Sequence, residues 1–295
     1  MCAANKHYPS YEDYLWAVAD AMAEEYRAIV NAGFVLQLDC PDIPMIAHTR
    51  GWQAGKRIYG VKGHAELHIQ AINRAIKGLP PGMIRLHMCW GNYSGPHHHD
   101  VALSEILEPV LAANVAACSF EGANPQHEHE WTLFEKIKLA PDKIIIPGVI
   151  DTKTNVLEHP ELVAQRIERY AGLVGRERVI AGTDCGFGTF VGFGAVHPKV
   201  AWLKLGSLVQ GAQLASKHLW SYRRAEAGGT SRSPFPTTSI GGRFSASTLS
   251  NYRFKFVDPR RDQRKCGALG ESLQRLIKTA NRISIRMDKP KTTKK

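Results

Sequence analysis

The sequence predicts an α/β protein whose chain follows the plan of a (β/α)8 barrel. Strand-like apolar runs alternate with helix-like segments from Tyr11 to Trp220, which favours parallel strands joined by right-handed crossovers. Strand midpoints near 36, 85, 118, 147 and 181 leave last intervals of 33, 29 and 34 residues, close to the roughly 31 per unit of a barrel of about 250 residues. Polar side chains gather where these runs end, at Asp39, His87, Cys89, Glu121, Asp151, Asp184 and Cys185. Barrels and open α/β sheets both place their sites there. Five strands can be counted against the eight of a closed barrel, and a helix comes first. The expectation is an incomplete barrel, with an open α/β sheet as the alternative.

Each element has its own signal. Leu15, Val18, Met22 and Tyr26 line one stripe of a helix over Tyr11–Asn31, closed by Gly33. Phe34–Leu38 reads as a buried strand. His64–Lys77 follows as a helix stopped by Gly78, Pro80 and Pro81, and Met83–His87 is the second strand. Val101–Asn114 is helical with Asp100 as its N-cap, and Val115–Phe120 is the third strand. A helix over Glu128–Lys138 leads to the apolar strand Lys143–Ile150. Helix Pro160–Leu173, strand Val179–Thr183 and helix Pro198–Trp220 complete the series.

Composition is ordinary for a globular protein of 295 residues, with 44% hydrophobic and 22% charged side chains, enough for a substantial core. The net charge of +11 is unevenly placed. Residues 221–295 hold 18 of the 38 Lys and Arg but only 5 of the 27 Asp and Glu, so the preceding body is near neutral. That stretch is also rich in Gly, Ser, Thr and Pro and reads as a disordered basic tail, so the domain expectation is a barrel segment over 1–220 and a tail over 221–295. Solvation is the default for such a tail, with RNA or anionic lipid as a lesser reading. The six cysteines are dispersed, no secretory signal precedes them, and no apolar run approaches a membrane span. A reducing, cytoplasmic compartment is expected.

The chemistry concentrates in His87-Met88-Cys89 and Gly182-Thr183-Asp184-Cys185-Gly186. Residues two apart on a strand face the same way, so the His87 imidazole and the Cys89 thiol project together. With Cys185 from a neighbouring strand end they form a nitrogen and two sulfurs, a set that suits zinc. Glu121, after Phe120, is a carboxylate at a third strand end and would complete a tetrahedral shell. Two thiolates keep such a site electron-rich, which favours thiol alkylation over water activation. Asp39 would bind a substrate ammonium or order the site. The run His97-His98-His99 reads as a helix start with solvated imidazoles, and His127 and His129 as supporting groups near Glu121.

Phe34–Pro41 (FVLQLDCP), Ile84–Tyr93 (IRLHMCWGNY), Phe120–Gly122, Gly148–Thr154 (GVIDTKT) and Gly182–Gly188 (GTDCGFG) together resemble the cobalamin-independent methionine synthase family. The resemblance is greatest to its shorter single-barrel relatives, which include the epoxyalkane:coenzyme M transferase type, and it runs from Tyr11 to Trp220. It implies a (β/α)8 barrel of the uroporphyrinogen decarboxylase/methionine synthase superfamily. It further implies zinc held by His87, Cys89, Cys185 and Glu121, and Asp39 in the place of the aspartate that contacts the amino-acid substrate. Two departures stand out. True methionine synthases carry Asp-Glu-Pro where this chain has Asp39-Cys40-Pro41, and a histidine used in proton delivery after the aspartate matched by Asp151, where Thr152-Lys153-Thr154 follow.

The expected function is therefore zinc-dependent transfer of a methyl or alkyl group to a small-molecule thiol, as in 5-methyltetrahydropteroyltriglutamate–homocysteine methyl transfer. Asp39, Asp151 and Asp184 are the candidate catalytic carboxylates. The alternatives are an epoxyalkane:thiol transferase and a truncated, non-catalytic gene product, because the family's first strands have no counterpart before Tyr11.

Overall fold

The computed structural model describes residues 5–48, 50–188, 192, 194 and 196–226. The chain divides into two units, Met1–Tyr222 and Arg223–Lys295. Of the second, only Arg223–Glu226, the end of a helix, is described. The expected tail thus lies, from residue 227 on, outside the described residues.

The first unit opens with α1 (Tyr11–Asn31), whose N-cap Ser10 accepts a hydrogen bond from the Asp13 amide through its side chain. Gly33 turns the chain at φ 86, and its amide and that of Phe34 bond to the carbonyls of Val30 and Ile29. Then come β1 (Leu36–Asp39), α2 (Arg50–Ala75), β2 (Ile84–His87), α3 (Leu103–Leu111), β3 (Ala117–Phe120), β4 (Ile144–Pro147), α4 (Pro160–Val174) and α5 (Pro198–Glu226). Among the described residues no helix is long and apolar enough to cross a membrane.

The sheet is parallel throughout, in the order β1-β2-β3-β4. Strands that neighbour one another in sequence also neighbour one another in space. That is the winding of successive barrel staves, whereas a doubly wound open sheet reverses its order at a switch point. The fifth run extends the sheet irregularly, through parallel bridges Ile145–Val179 and Gly148–Gly182 rather than a continuous ladder. It keeps strand-like bonds nonetheless: the amides of Ile180 and Gly182 donate to the carbonyls of Ile145 and Pro147 at 3.0 and 3.1 Å, and Asp184 to Ile150 at 2.9 Å.

One side of the sheet packs on helices. Leu36, Leu38, Ile84, Leu86, Phe120 and Ile145 join Val30, Ile69, Ile106, Leu107 and Val110 in a single buried cluster. Each fully buried aliphatic side chain there contributes about 2 kcal/mol. Cys40 and Cys118 lie in the same cluster, and burial pushes the Cys118 thiol up to about 11, so both act as small apolar groups. Gln37 and Asp39 of β1 and Arg85 of β2 turn to the opposite, exposed side. Register pairs Gln37 with Arg85 and Asp39 with His87.

Several boundaries differ from expectation. The strands are four residues each, because the ladder ends where the chain turns into the rim loops; Phe34 falls outside β1 and is exposed. α2 starts at Arg50, not His64, with a break at Gly60 (φ 70) between its two parts, a conformation that a glycine adopts without strain. α3 is shorter than expected, and Asp100 does not cap it; the cap position is Ala102, and the Leu103 amide is satisfied from a distance by Glu130 Oε1 at 2.6 Å. The segment Glu128–Glu135 is a 3-10 helix rather than an α-helix. α5 runs past Trp220 to Glu226.

Candidate metal centre

β2 delivers the first two donors. The His87 carbonyl accepts from the Cys40 amide and the Met88 amide donates to Ser119, both at 2.9 Å, so the strand pairing continues on both sides past its last residue. Met88 is fully buried, while His87 and Cys89 share the other side. Across the rim, Cys185 brings its sulfur to 3.4 Å from that of Cys89. One donor atom each from His87, Cys89 and Cys185 lies within 4.8 Å of the others, and all three residues are buried. Zinc–sulfur bonds of about 2.3 Å and zinc–nitrogen bonds of about 2.0 Å fit inside such a cluster.

The donor chemistry fits as well. His87 Nδ1 pairs with Ser119 Oγ at 3.2 Å, which fixes the ring and leaves Nε2 for the cluster. The hydrogen bond from Cys185 pulls Cys89 down to about 6, with further help from His87 and against the cost of burial. The same bond, burial and the Glu121 carboxylate push Cys185 well above the ordinary thiol value. The pair therefore gives up one proton readily and shares the other, an arrangement a divalent cation converts into two thiolates. The Gly91 amide, 3.3 Å from Cys89 Sγ, supports the negative sulfur.

Glu121 stands beside them. Its Oε1 is 3.4 Å from Cys185 Sγ and accepts from the Trp90 amide at 3.0 Å. Its Oε2 accepts from Asn124 Nδ2 at 2.7 Å and from Lys153 Nζ at 2.9 Å. Glu121 thus reaches the cluster with both oxygens already bonded.

The three aspartates divide. Asp39 ends β1 opposite His87 with its side chain open, where an incoming polar group can meet it. Asp184 is fully buried, its Oδ1 accepting from the Gly122 and Ala123 amides at 2.8 Å and its Oδ2 from Asn124 N at 3.0 Å and Nδ2 at 2.9 Å. It has no free face for a substrate and acts by holding the loop after Glu121. Gly148 makes the fit possible, since a Cβ there would fall 2.7 Å from the Asp184 Cα. Asp151 is buried; its Oδ1 accepts from the Lys153 amide at 2.7 Å, forming the turn that presents Lys153.

Lys153, Trp90, Asn92 and Asn124 also belong to the site; the first three lie inside the motifs GVIDTKT and IRLHMCWGNY, which mark their place but not their partners. Asn92 ties three rim loops, donating to the Gly186 carbonyl at 2.5 Å and accepting from Thr152 Oγ1 at 2.8 Å. Lys153 was legible only as the second residue after Asp151.

A second polar cluster lies behind Trp90, whose ring packs against that of His127 in a tilted contact, centroids 4.2 Å apart. Asp100 binds His48 at 2.6 Å, His97 at 2.8 Å and His127 at 3.0 Å, and His127 also pairs with Glu130 at 2.8 Å. His97 is therefore buried, contrary to the expectation of solvated imidazoles, which holds for His98 and His99. Burial would lower the His127 pKa, but Asp100 and Glu130 overrule it and raise it from 6.5 to about 9. A raised imidazole stabilises the fold fully below the unfolded value and loses that contribution as pH climbs through the folded one. Unfolding free energy should fall by about 3 kcal/mol between pH 6.5 and 9 through this group. Urea unfolding across that range measures the slope, and His127→Gln should flatten it; an unchanged slope in the variant would show that His127 is not its source.

No protein-family model matches the chain. Among curated proteins it is 25% identical over 218 residues to a methionine synthase of Saccharolobus solfataricus, covering 73% of this chain and 54% of that protein. It is 28% identical over 217 residues to the methionine synthase of Sulfurisphaera tokodaii, covering 73% and 53%. The chain spans about half the length of these curated relatives. Among solved structures, a B12-independent methionine synthase from Shewanella sp. W3-18-1 in complex with selenomethionine aligns with a TM-score of 0.55 and 23% identity. That alignment covers 73% of this chain and 58% of the other. The likeness is one of fold: a parallel sheet flanked by helices.

Proposed function

We propose that this chain carries the metal centre of a cobalamin-independent methionine synthase-type catalyst, which transfers a methyl or alkyl group to a thiol. The observation that carries the reading is the convergence of His87, Cys89 and Cys185 from two separate rim segments on one buried point. The methionine synthases among its sequence relatives support the same chemistry. His87, Cys89 and Cys185 would hold zinc, with Glu121 as the carboxylate within reach of it. Zinc supplies the positive charge that lets a substrate thiol ionise at neutral pH.

The chain's own groups do the rest. Ser119 fixes the His87 ring, and the Gly91 amide stabilises the sulfur of Cys89. Asp39, at the end of β1 and paired in register with His87, would take the ammonium of an amino-acid thiol. Asp184 and Asp151 act as positioning residues, the first for the Glu121 loop and the second for Lys153. The thiol is then homocysteine and the donor a methylated folate polyglutamate, in a cytoplasmic setting. A different thiol and donor, as in epoxyalkane:coenzyme M transfer, is the alternative; it is favoured by Cys40, a buried apolar thiol where the methionine synthase pattern has Glu.

The reading is tested with the zinc-loaded full chain. Product formation is followed by mass spectrometry with homocysteine and methyltetrahydrofolate triglutamate, and separately with coenzyme M and an epoxyalkane. Repeated turnover with the first pair is the expected result. Turnover with the second pair alone selects the alternative, and no alkylated thiol with either pair contradicts the proposal.

A further inference from the structure

The rim loop after Cys89 is built around one side chain, that of Tyr93. Among the described residues, Asn92 (φ 45) and His97 (φ 51) are the non-glycine residues with positive φ, and Gly91 lies at φ 103. All three flank Tyr93. A Cβ at Gly91 would fall 3.1 Å from the ring carbon Cδ1, and one at Gly95 would overlap Cε2. The ring also stacks on that of His97, centroids 4.3 Å apart. Left-handed backbone outside glycine is uncommon and persists where the surroundings impose it. Here it seats a residue that stays 40% exposed, so burial is not what the strain secures.

What the seating fixes is the hydroxyl. Tyr93 Oη lies 3.3 Å from His48 Nδ1, and His48 Nε2 lies 2.6 Å from Asp100 Oδ1. Asp100 is held in turn by His97 and His127. A phenol, an imidazole and a buried carboxylate in series can give a proton outward and recover it. Gly91, which the ring packs against, donates its amide to Cys89 Sγ, so the phenol stands beside the loop that carries the sulfur.

Alkyl transfer to a thiol needs such a group. The thiol loses its proton, its sulfur forms the S–C bond, and the donor's C–N or C–O bond breaks with its electron pair on the leaving atom. A nitrogen or oxygen released in that way must take up a proton. The Lys153 ammonium is committed to Glu121 Oε2 at 2.9 Å, and His127 is buried behind Trp90. Burial and Asp100 hold the Tyr93 phenol above its ordinary value, against the pull of Lys153, so it keeps its proton at neutral pH.

We propose that Tyr93 is a catalytic residue that gives the leaving atom its proton, with His48 and Asp100 as positioning residues behind it. The phenolate left behind takes a proton from His48 Nδ1, which regains one from solvent. Asp100 steadies the charge on His48 while both ring nitrogens hold protons. The inference rests on the thiol-alkylation reading above and adds the source of the proton.

The test uses the zinc-loaded full chain and whichever pair it turns over, homocysteine with methyltetrahydrofolate triglutamate or coenzyme M with an epoxyalkane. Tyr93→Phe should lower kcat about a hundredfold and leave the KM for the thiol unchanged. Methyl iodide, whose leaving iodide takes up no proton, should methylate the same thiol at the parent's rate. His48→Gln should show the same donor-dependent loss, at about tenfold, which a structural defect would not confine to one donor. Cobalt(II)-loaded parent and variants should give one absorption spectrum with the thiol bound. Tyr93→Phe with the parent's kcat overturns the proposal, as does an equal loss with methyl iodide. If Tyr93→Phe fails to fold, a His48→Gln protein with the parent's kcat overturns it instead. A parent chain that turns over neither pair overturns the function reading, and this inference with it.

Discussion

Cys185→Ser should strip the metal from the protein while leaving the fold in place. Cys185 is buried with its sulfur 3.4 Å from that of Cys89, and serine is nearly its size but a poor zinc ligand at neutral pH. Metal affinity should fall at least about a hundredfold, and alkyl transfer to thiol should become undetectable. Stability gives a second readout. Zinc at about a thousand times its dissociation constant stabilises a folded state that alone binds it by roughly 4 kcal/mol. The parent chain should show that gain in thermal unfolding, and Cys185→Ser should show none, with a metal-free transition close to the parent's. Retention of one zinc and of the full stabilisation by the variant would mean that Cys185 is not a ligand.

Asp184→Ala should be the most destabilising single change at the rim. Its carboxylate accepts four N–H groups at 2.8 to 3.0 Å from residues 122–124, and no water reaches it. Alanine would leave those donors unsatisfied in a buried loop, at a cost of about 3–5 kcal/mol. Asp184→Asn would keep the shape but aim its own N–H donors at others, so it should also lose stability. Asp39→Asn, on an open side chain, should change stability by less than about 0.5 kcal/mol. Urea unfolding of the three variants provides the comparison. A loss below about 1 kcal/mol in Asp184→Ala would mean that the Glu121 loop is held by something other than this carboxylate. Since that loop also carries Asn124, the same variant should loosen Glu121 and broaden metal binding.

The contrast between Asp184 and Asp39 shows where sequence reasoning reaches and where it stops. Two-residue spacing at the end of an apolar run was enough to pair His87 with Cys89, because strand geometry is local. The regular recurrence of apolar runs was enough to expect parallel staves, and the observed order β1-β2-β3-β4 has that winding. Both aspartates read as rim carboxylates, yet one is open and the other is sealed by four amides. That difference is made by chain segments about sixty residues apart and leaves no local pattern. Asp100 illustrates the same point. Local spacing favours a helix N-cap, but His97 three residues earlier and two imidazoles from distant segments, His48 and His127, claim its oxygens, and Glu130 takes over the helix amide. Lys153 lies inside the motif Gly148–Thr154, but its partner is Glu121, thirty-two residues away, so nothing local marks the pairing. The fifth run was legible as apolar but not as irregular, because bridging at Val179 and Gly182 depends on how Gly148 meets Asp184.

Whether His87, Cys89 and Cys185 hold one metal ion together is open to direct measurement. Zinc K-edge X-ray absorption on the full chain, together with its zinc content, tests it most directly. One zinc per chain is expected, with two sulfur neighbours at about 2.3 Å and a nitrogen neighbour at about 2.0–2.1 Å. Folded protein with no stoichiometric zinc, or zinc in a shell of nitrogen and oxygen alone, would contradict it.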